Sequence, residues 1–291
     1  MVNISKFLNK MTLASLCFTM QASAAYYGDN CCAPVQCCET QCCEDGPLRC
    51  NAFGAQLKGG VTPSYFTDRG NVWIYNPSLS DPLYEGNKGP EFDKLFELPW
   101  QIGAELAWNA STHVQFFGEY VYESAKGKKR NFLVNNDQYD IRQNHGEFKT
   151  NAFYIGARYF FGNLWCSECG TSSVAPFVGF KAGAKWHERS KFHQHVFISD
   201  IDYDLGSHDF FKEQTLMSAG VQIGLDYSIN CNFGVVFTVE AVGTQGLRNN
   251  RNVPLAFPII PGRAGTPTNI SLGETGHIVS VPITLGVRYT F

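Results

Sequence analysis

Ten of the eleven cysteines, all but Cys17 in the apolar run near the N-terminus, are the residues of this chain best able to make and break bonds. Seven stand close together as Cys31-Cys32, Cys37-Cys38, Cys42-Cys43 and Cys50, and the other three are Cys166, Cys169 and Cys231. Neighbouring cysteines would have to close a small, strained ring to bond each other, so each is expected to reach a different partner. One arrangement is a set of bridges within the chain that ties the segment to a folded base. Another is cross-linking to separate proteins, favoured by many thiols on a segment with few partners of its own. A metal centre fits less well, because no C-x2-C is paired with histidines and exported thiols oxidise. Cys166-Ser167-Glu168-Cys169 has the spacing of a redox motif. It sits between strand patterns with no βαβ unit, so it reads as a structural bridge.

A second cluster holds His187, His193, His195 and His208 with Asp200, Asp202, Asp204 and Asp209. The calcium-loop pattern fails there, since Gly206 comes one residue late and the twelfth position is Phe211 rather than Glu. The stretch reads as a solvated acidic loop, with no metal expected in it. No nucleophile elbow, zinc-protease helix motif or phosphate loop occurs, so neither catalytic residues nor a cofactor are expected. What remains is a set of charges embedded in apolar segments: Lys58, Arg158, Lys181, Lys185 and Arg288, with Glu105, Glu119, Asp226 and Glu240.

Those charges make sense only once the segments around them are read as strands. From Ser280 to Phe291 the sequence runs S-V-P-I-T-L-G-V-R-Y-T-F. Side chains alternate across a strand, so Val281, Ile283, Leu285, Val287, Tyr289 and Phe291 share one apolar face, while Thr284, Gly286 and Arg288 share the other. Seven further segments alternate in the same way, around Leu57, Leu106, Phe116, Ile155, Phe180, Ile223 and Phe237. Trp100 and Trp108 end one of them, as amphipathic rings do at the two water interfaces of a bilayer. An apolar outside and a polar inside fit eight strands closed into a barrel in lipid. Such a barrel is just wide enough for side chains to fill. The inward charges are therefore expected to pair, five positive against four negative, as a plug or at most a narrow wet path.

The connections support this. Long ones (67–97, 124–146, 188–212 and 246–276) alternate with short ones (110–112, 162–173 and 230–232), the rhythm of external loops and periplasmic turns. The ten cysteines other than Cys17 then all fall on the short-turn side. Val72 to Tyr75, Val196 to Ile201 and Val253 to Ile260 are further strand material, which would widen the barrel to ten or twelve strands if it joined the wall.

Lys6 and Lys10, the apolar run from Met11 to Met20 and Ala22-Ser23-Ala24 form the three parts of a secretory signal peptide. Residues 1–24 are expected to be removed, 25–50 to form a cysteine-rich periplasmic tail, and 51–291 to form the barrel. The leader takes away two lysines and no acid, so the net charge of −3 becomes about −5. An acidic chain without a basic stripe excludes nucleic acid as a partner. No run of about 20 apolar residues suits a transmembrane helix.

The terminal strand ending in Phe291 resembles the C-terminal strand of Gram-negative outer-membrane β-barrel proteins. Taken with the signal peptide and the doublets at Cys31, Cys37 and Cys42, the chain resembles the cysteine-rich outer-membrane proteins of chlamydia-like bacteria. That resemblance implies porin-type barrels linked by disulfides into a stiffening network, although this chain has half the strands of a classical porin. The expectation is an all-β, eight-stranded antiparallel transmembrane barrel of the bacterial outer membrane. Its partners would be lipid and, through disulfides, other envelope proteins. Its role would be structural, with passive diffusion of small solutes as the alternative and adhesion through the loops as a third course.

Overall fold

A computed structural model describes residues 46–67, 71–75, 84–88, 91–134, 139–166, 172–198, 201–230, 232–247, 253–255, 268–272 and 276–291. The expected signal peptide, the doublets at Cys31, Cys37 and Cys42, and also Cys169 and Cys231 lie outside these residues.

Strand β1 (Phe53–Val61) is followed past Pro63 by the short β2 (Ser64–Phe66), the hairpin of β3 (Asn71–Tyr75) and β4 (Tyr84–Lys88), and a single helical turn, α1 (Phe92–Leu95). The chain returns in β5 (Trp100–Asn109) and turns into β6 (Val114–Ala125). A second hairpin, β7 (Lys129–Val134) and β8 (Tyr139–His145), leads into β9 (Phe148–Phe160). Then come β10 (Trp165–Cys166), β11 (Ser173–His187), β12 (Ser190–Ile198) and β13 (Ile201–Phe211). The last are β14 (Gln214–Ser228), β15 (Phe233–Thr244), β16 (Val253–Leu255), β17 (Thr268–Leu272), β18 (Ile278–Ser280) and β19 (Ile283–Thr290).

Eight of these strands close on themselves. In the order β1, β5, β6, β9, β11, β14, β15, β19, each is antiparallel to the next, and β19 pairs β1 from Val61↔Ile283 to Gly54↔Thr290. Closure leaves no edge in the wall. The alternation of the sequence is the alternation of the two surfaces: Leu57 is 68% exposed and Leu106 69%, while Lys58 and Glu105 beside them are each 3%. Ile102, Ile155, Ile223, Leu285 and Val287 continue the exposed apolar belt. Such a surface is stable only where water is absent.

The remaining strands correct one expectation. The long connections are not plain loops: β7 and β8 join β12 and β13 in a separate four-stranded sheet, and β3 and β4 join β16 and β17 in another. Strand material at Val72–Tyr75, around Val196 and at Val253–Leu255 is thus present, but it stands outside the wall, which keeps eight strands instead of ten or twelve. The sheet of β7, β8, β12 and β13 has Lys129, Arg142, His193 and Asp204 among its residues and lacks an unbroken apolar face, so it cannot take a place in lipid.

Apolar clusters stop both ends of the barrel. At the end with the long connections, Phe92, Leu95 and Phe96 from α1 and its flank pack with Phe148, Phe211, Leu216 and Ile278, all buried. Phe92 and Phe148 meet edge to face at 5.2 Å. At the other end Leu48, ahead of β1, is buried with Phe160, Ala175, Phe177 and Val236. Its backbone is tied to the β5–β6 turn by the hydrogen bond from Leu48 N to Thr112 O, 3.1 Å. The expected tail of residues 25–50 therefore ends in a folded stopper, and its last described residues belong to the barrel.

Candidate functional site

The lumen between these two stoppers holds the charges. Lys58 on β1, Glu119 on β6, Lys181 on β11 and Glu240 on β15 come from strands spaced around the wall and meet in a ring. Lys58 Nζ lies 2.6 Å from Glu119 Oε1 and 3.1 Å from Glu240 Oε1; Lys181 Nζ lies 3.1 Å from Glu119 Oε2 and also contacts Glu240 Oε2. Each cation touches both anions, so no member is left with an uncompensated charge in a medium that would penalise one heavily. Lys181 Nζ also sits 4.4 Å from the centre of the Tyr154 ring, a favourable place for a cation.

Below the ring, on the Phe291 side, Arg158 forms a two-pronged pair with Glu105, at 2.5 and 2.6 Å. It also donates to Gln115 Oε1 at 3.0 Å, and Gln115 Nε2 in turn donates to Asn109 Oδ1 at 2.8 Å. Its guanidinium lies over the Phe117 ring at 4.2 Å and the Phe177 ring at 5.2 Å. A planar fork that binds a carboxylate at its edge and rings on its faces is a role lysine cannot fill. The two rings fit because the wall beside them is glycine. A Cβ on Gly156 would stand 2.4 Å from Phe117 Cζ, and one on Gly224 the same distance from Phe177 Cζ. Nearest the base, Arg288 Nη1 binds Asp226 Oδ2 at 2.6 Å, and Nη2 donates to Ser228 Oγ at 3.0 Å.

Above the ring Lys185 meets an anion that the sequence reading left out. Glu123 Oε2 is 2.6 Å from Lys185 Nζ, and Thr150 Oγ1 donates to it at 3.5 Å. Glu123 shares the inward face with Glu119, four residues earlier. The same alternation that places Glu119 inside carries on to Glu123. With it the lumen holds Lys58, Arg158, Lys181, Lys185 and Arg288 against Glu105, Glu119, Glu123, Asp226 and Glu240. Five positive charges face five negative, and each has a direct partner.

The lumen is also closed. Glu119 is 0% exposed and Glu240 1%, so the carboxylates of the ring are sealed from bulk water. A cavity of about 20 Å³ above it, lined by Thr62, Gln101, Glu123, Thr150, Lys185 and Pro282 among others, has room for about one water.

A closed ladder with charges paired inside, apolar side chains outside and every wall strand hydrogen-bonded on both edges satisfies the demand that hydrocarbon places on a backbone. The chain is an eight-stranded transmembrane β-barrel. Among the described residues no helix is long and apolar enough to cross a membrane. No family model matches the sequence, and no curated protein matches it. Similar solved structures are Neisserial surface protein A (13% identity, 82% of this chain and 97% of that one, TM-score 0.37) and the N-terminal β-barrel domain of OprF of Pseudomonas aeruginosa (13%, 83% and 98%, 0.32). A third is the outer membrane protein OprG of the same bacterium (11%, 82% and 97%, 0.36). Likenesses this loose say nothing about activity, and the barrel rests on its own strand ladder.

Of the cysteines, Cys50 precedes β1 next to the folded stopper, and Cys166 ends β10, which pairs with the start of β11. Both lie at the end of the barrel that carries the short turns and Phe291. His193, His195, Asp202 and Asp204 lie on β12 and β13, away from the lumen.

Proposed function

We propose that the protein is a sealed structural barrel of the bacterial outer membrane, fixed to other envelope proteins by disulfides from its cysteine-rich N-terminal segment. The closed, charge-balanced lumen carries this reading. A pore must keep a wet path, whereas here ten charged groups consume one another and apolar clusters stop both mouths. A wall with no transport duty is free to serve as an anchor. The seven cysteines between Cys31 and Cys50 supply the means, since oxidising compartments drive such thiols into bridges. Cys50 and Cys166 stand at one end of the barrel, so cross-links made there would meet the same compartment.

Two measurements test the proposal. Refolded protein in a planar bilayer is expected to give no stable conductance step, and steady channels would return small-solute diffusion as the function. Envelopes solubilised without reductant are expected to show the protein in high-mass species that collapse to a monomer when reductant is added. Monomer under both conditions would remove the cross-linking role.

A further inference from the structure

We propose that His193, His195 and Asp204 bind a borderline divalent transition metal, zinc(II) above all, on the β12–β13 hairpin outside the barrel. One imidazole nitrogen from each histidine and one carboxylate oxygen of Asp204 lie within 4.8 Å of one another. Ligands about 2.0–2.1 Å from a tetrahedral zinc are about 3.3 Å apart, so the widest of these separations has at most about 1.5 Å to close, within the reach of side-chain rotation. All three side chains are partly exposed, and an ion has direct access.

The backbone builds this face. His193 and His195 are two apart on β12 and point the same way. Across the ladder His195 pairs with Asp204, Phe197 with Asp202 and His193 with Ser207, with a slip between Gln194 and His195. Without that bulge His193 would stand opposite Gly206, which has no side chain to offer. The extra residue is accommodated by Gly206 at φ +82°, a left-handed conformation that glycine adopts at little cost.

The hydrogen bonds present the correct atoms. His193 Nδ1 is 3.0 Å from Ser207 Oγ, and Nε2 is 2.9 Å from Asp204 Oδ1. His195 Nδ1 is 3.1 Å from Asp202 Oδ1. With each Nδ1 held by an outer partner, the ion would take the place of the proton between His193 Nε2 and Asp204 Oδ1, and His195 Nε2 would offer its lone pair beside them, the arrangement that orients histidine ligands in metal sites. Asp204 Oδ1 accepts from the Gly206 amide at 2.7 Å, which fixes the carboxylate. On the other side β8 places Asn144 opposite His193 and Arg142 opposite His195. Asp202 and Asp204 together outweigh that one positive charge. Two imidazoles and a carboxylate suit zinc, copper or nickel, whereas calcium and magnesium require a shell of oxygens. The bound ion would clamp the bulged hairpin across its two strands.

Untagged full-length protein, refolded in detergent micelles, is titrated with zinc chloride by calorimetry. The parent is expected to bind one more zinc per chain than the His193→Ala/His195→Ala variant, which shares every cysteine with it. Asp202→Asn is expected to keep that stoichiometry and weaken the affinity by about 10- to 100-fold. Equal zinc stoichiometry in parent and double variant, or displacement of the zinc by calcium at similar concentration, would overturn the proposal. If the double variant does not fold, the parent decides alone: zinc must protect His193 and His195 from acylation by diethylpyrocarbonate, and equal labelling with and without zinc would overturn it.

Discussion

Glu240→Gln removes one charge from a ring that tolerates no imbalance. Glu240 contacts Lys58 at 3.1 Å and also Lys181, and Glu119 alone would be left to serve both ammonium groups. At an effective dielectric constant of about 20, one charge pair at that separation is worth about 5 kcal/mol gross. The substitution loses two such contacts and recovers the desolvation of one carboxylate and its repulsion from Glu119. The net cost is expected to be about 3–5 kcal/mol, that of breaking a buried pair. Adding Lys58→Met restores neutrality, leaving Lys181 with Glu119, and is expected to return most of that loss. Glu147→Gln, which breaks the exposed pair with Lys149, is expected to cost far less, since water screens that pair. Urea unfolding and refolding in lipid vesicles measures all three. If Glu240→Gln costs no more than Glu147→Gln, water hydrates the ring, and the sealed lumen is refuted.

Three smaller predictions follow from the same structure. Gly156→Val would drive a side chain into the Phe117 ring and is expected to cost about 1–3 kcal/mol by overpacking, with a changed near-ultraviolet circular dichroism as the aromatic over Arg158 moves. Leu48→Ala should cost about 2–5 kcal/mol in the same vesicle assay, since the residue is buried among Phe160, Phe177 and Val236; a loss near zero would mean the segment ahead of β1 is not part of the base. The hydrogen bond and charge of Lys149 hold the Glu147 carboxyl below its ordinary 4.5. A depressed acid stabilises the fold above its unfolded value and loses that contribution as pH falls through the folded one. An NMR titration of the side chain should therefore show a midpoint below 4.5 that Lys149→Met raises.

The wall was legible because lipid outside and paired charges inside write a period of two that nothing in β1, β5, β14 or β19 disturbs. The signal weakened where inward positions are themselves apolar. Phe116-Phe117 and Phe160-Phe161 each put one ring outside and one inside, and the inner Phe117 packs on Arg158 while Phe160 joins the base. Glu123 was missed because β6 runs past its last interfacial aromatic, Tyr122, into the capped mouth. The two outer sheets did not show as sheets, since their segments fall in the long connections, where the sequence offered only loop or strand material that would join the wall. Leu48 lies between Pro47 and Arg49 in a segment without periodicity, so only its position under the barrel reveals its burial. The metal-ligating face depends on a bulge, which shifts the pairing by one residue and is invisible to any regular pattern.

The hoop in this molecule is closed by a single stave. Strand β19 is hydrogen-bonded to β15 on one flank and to β1, more than two hundred residues distant in the chain, on the other. Contacts between such distant residues are slow to form, and a chain that has laid down the other seven still presents two raw borders to its surroundings. Truncating the polypeptide before Ile278, so that β18 with its bonds to β15 and β2 is lost along with β19, would therefore leave a curled sheet, primed to zip onto a neighbour's border as readily as onto its own.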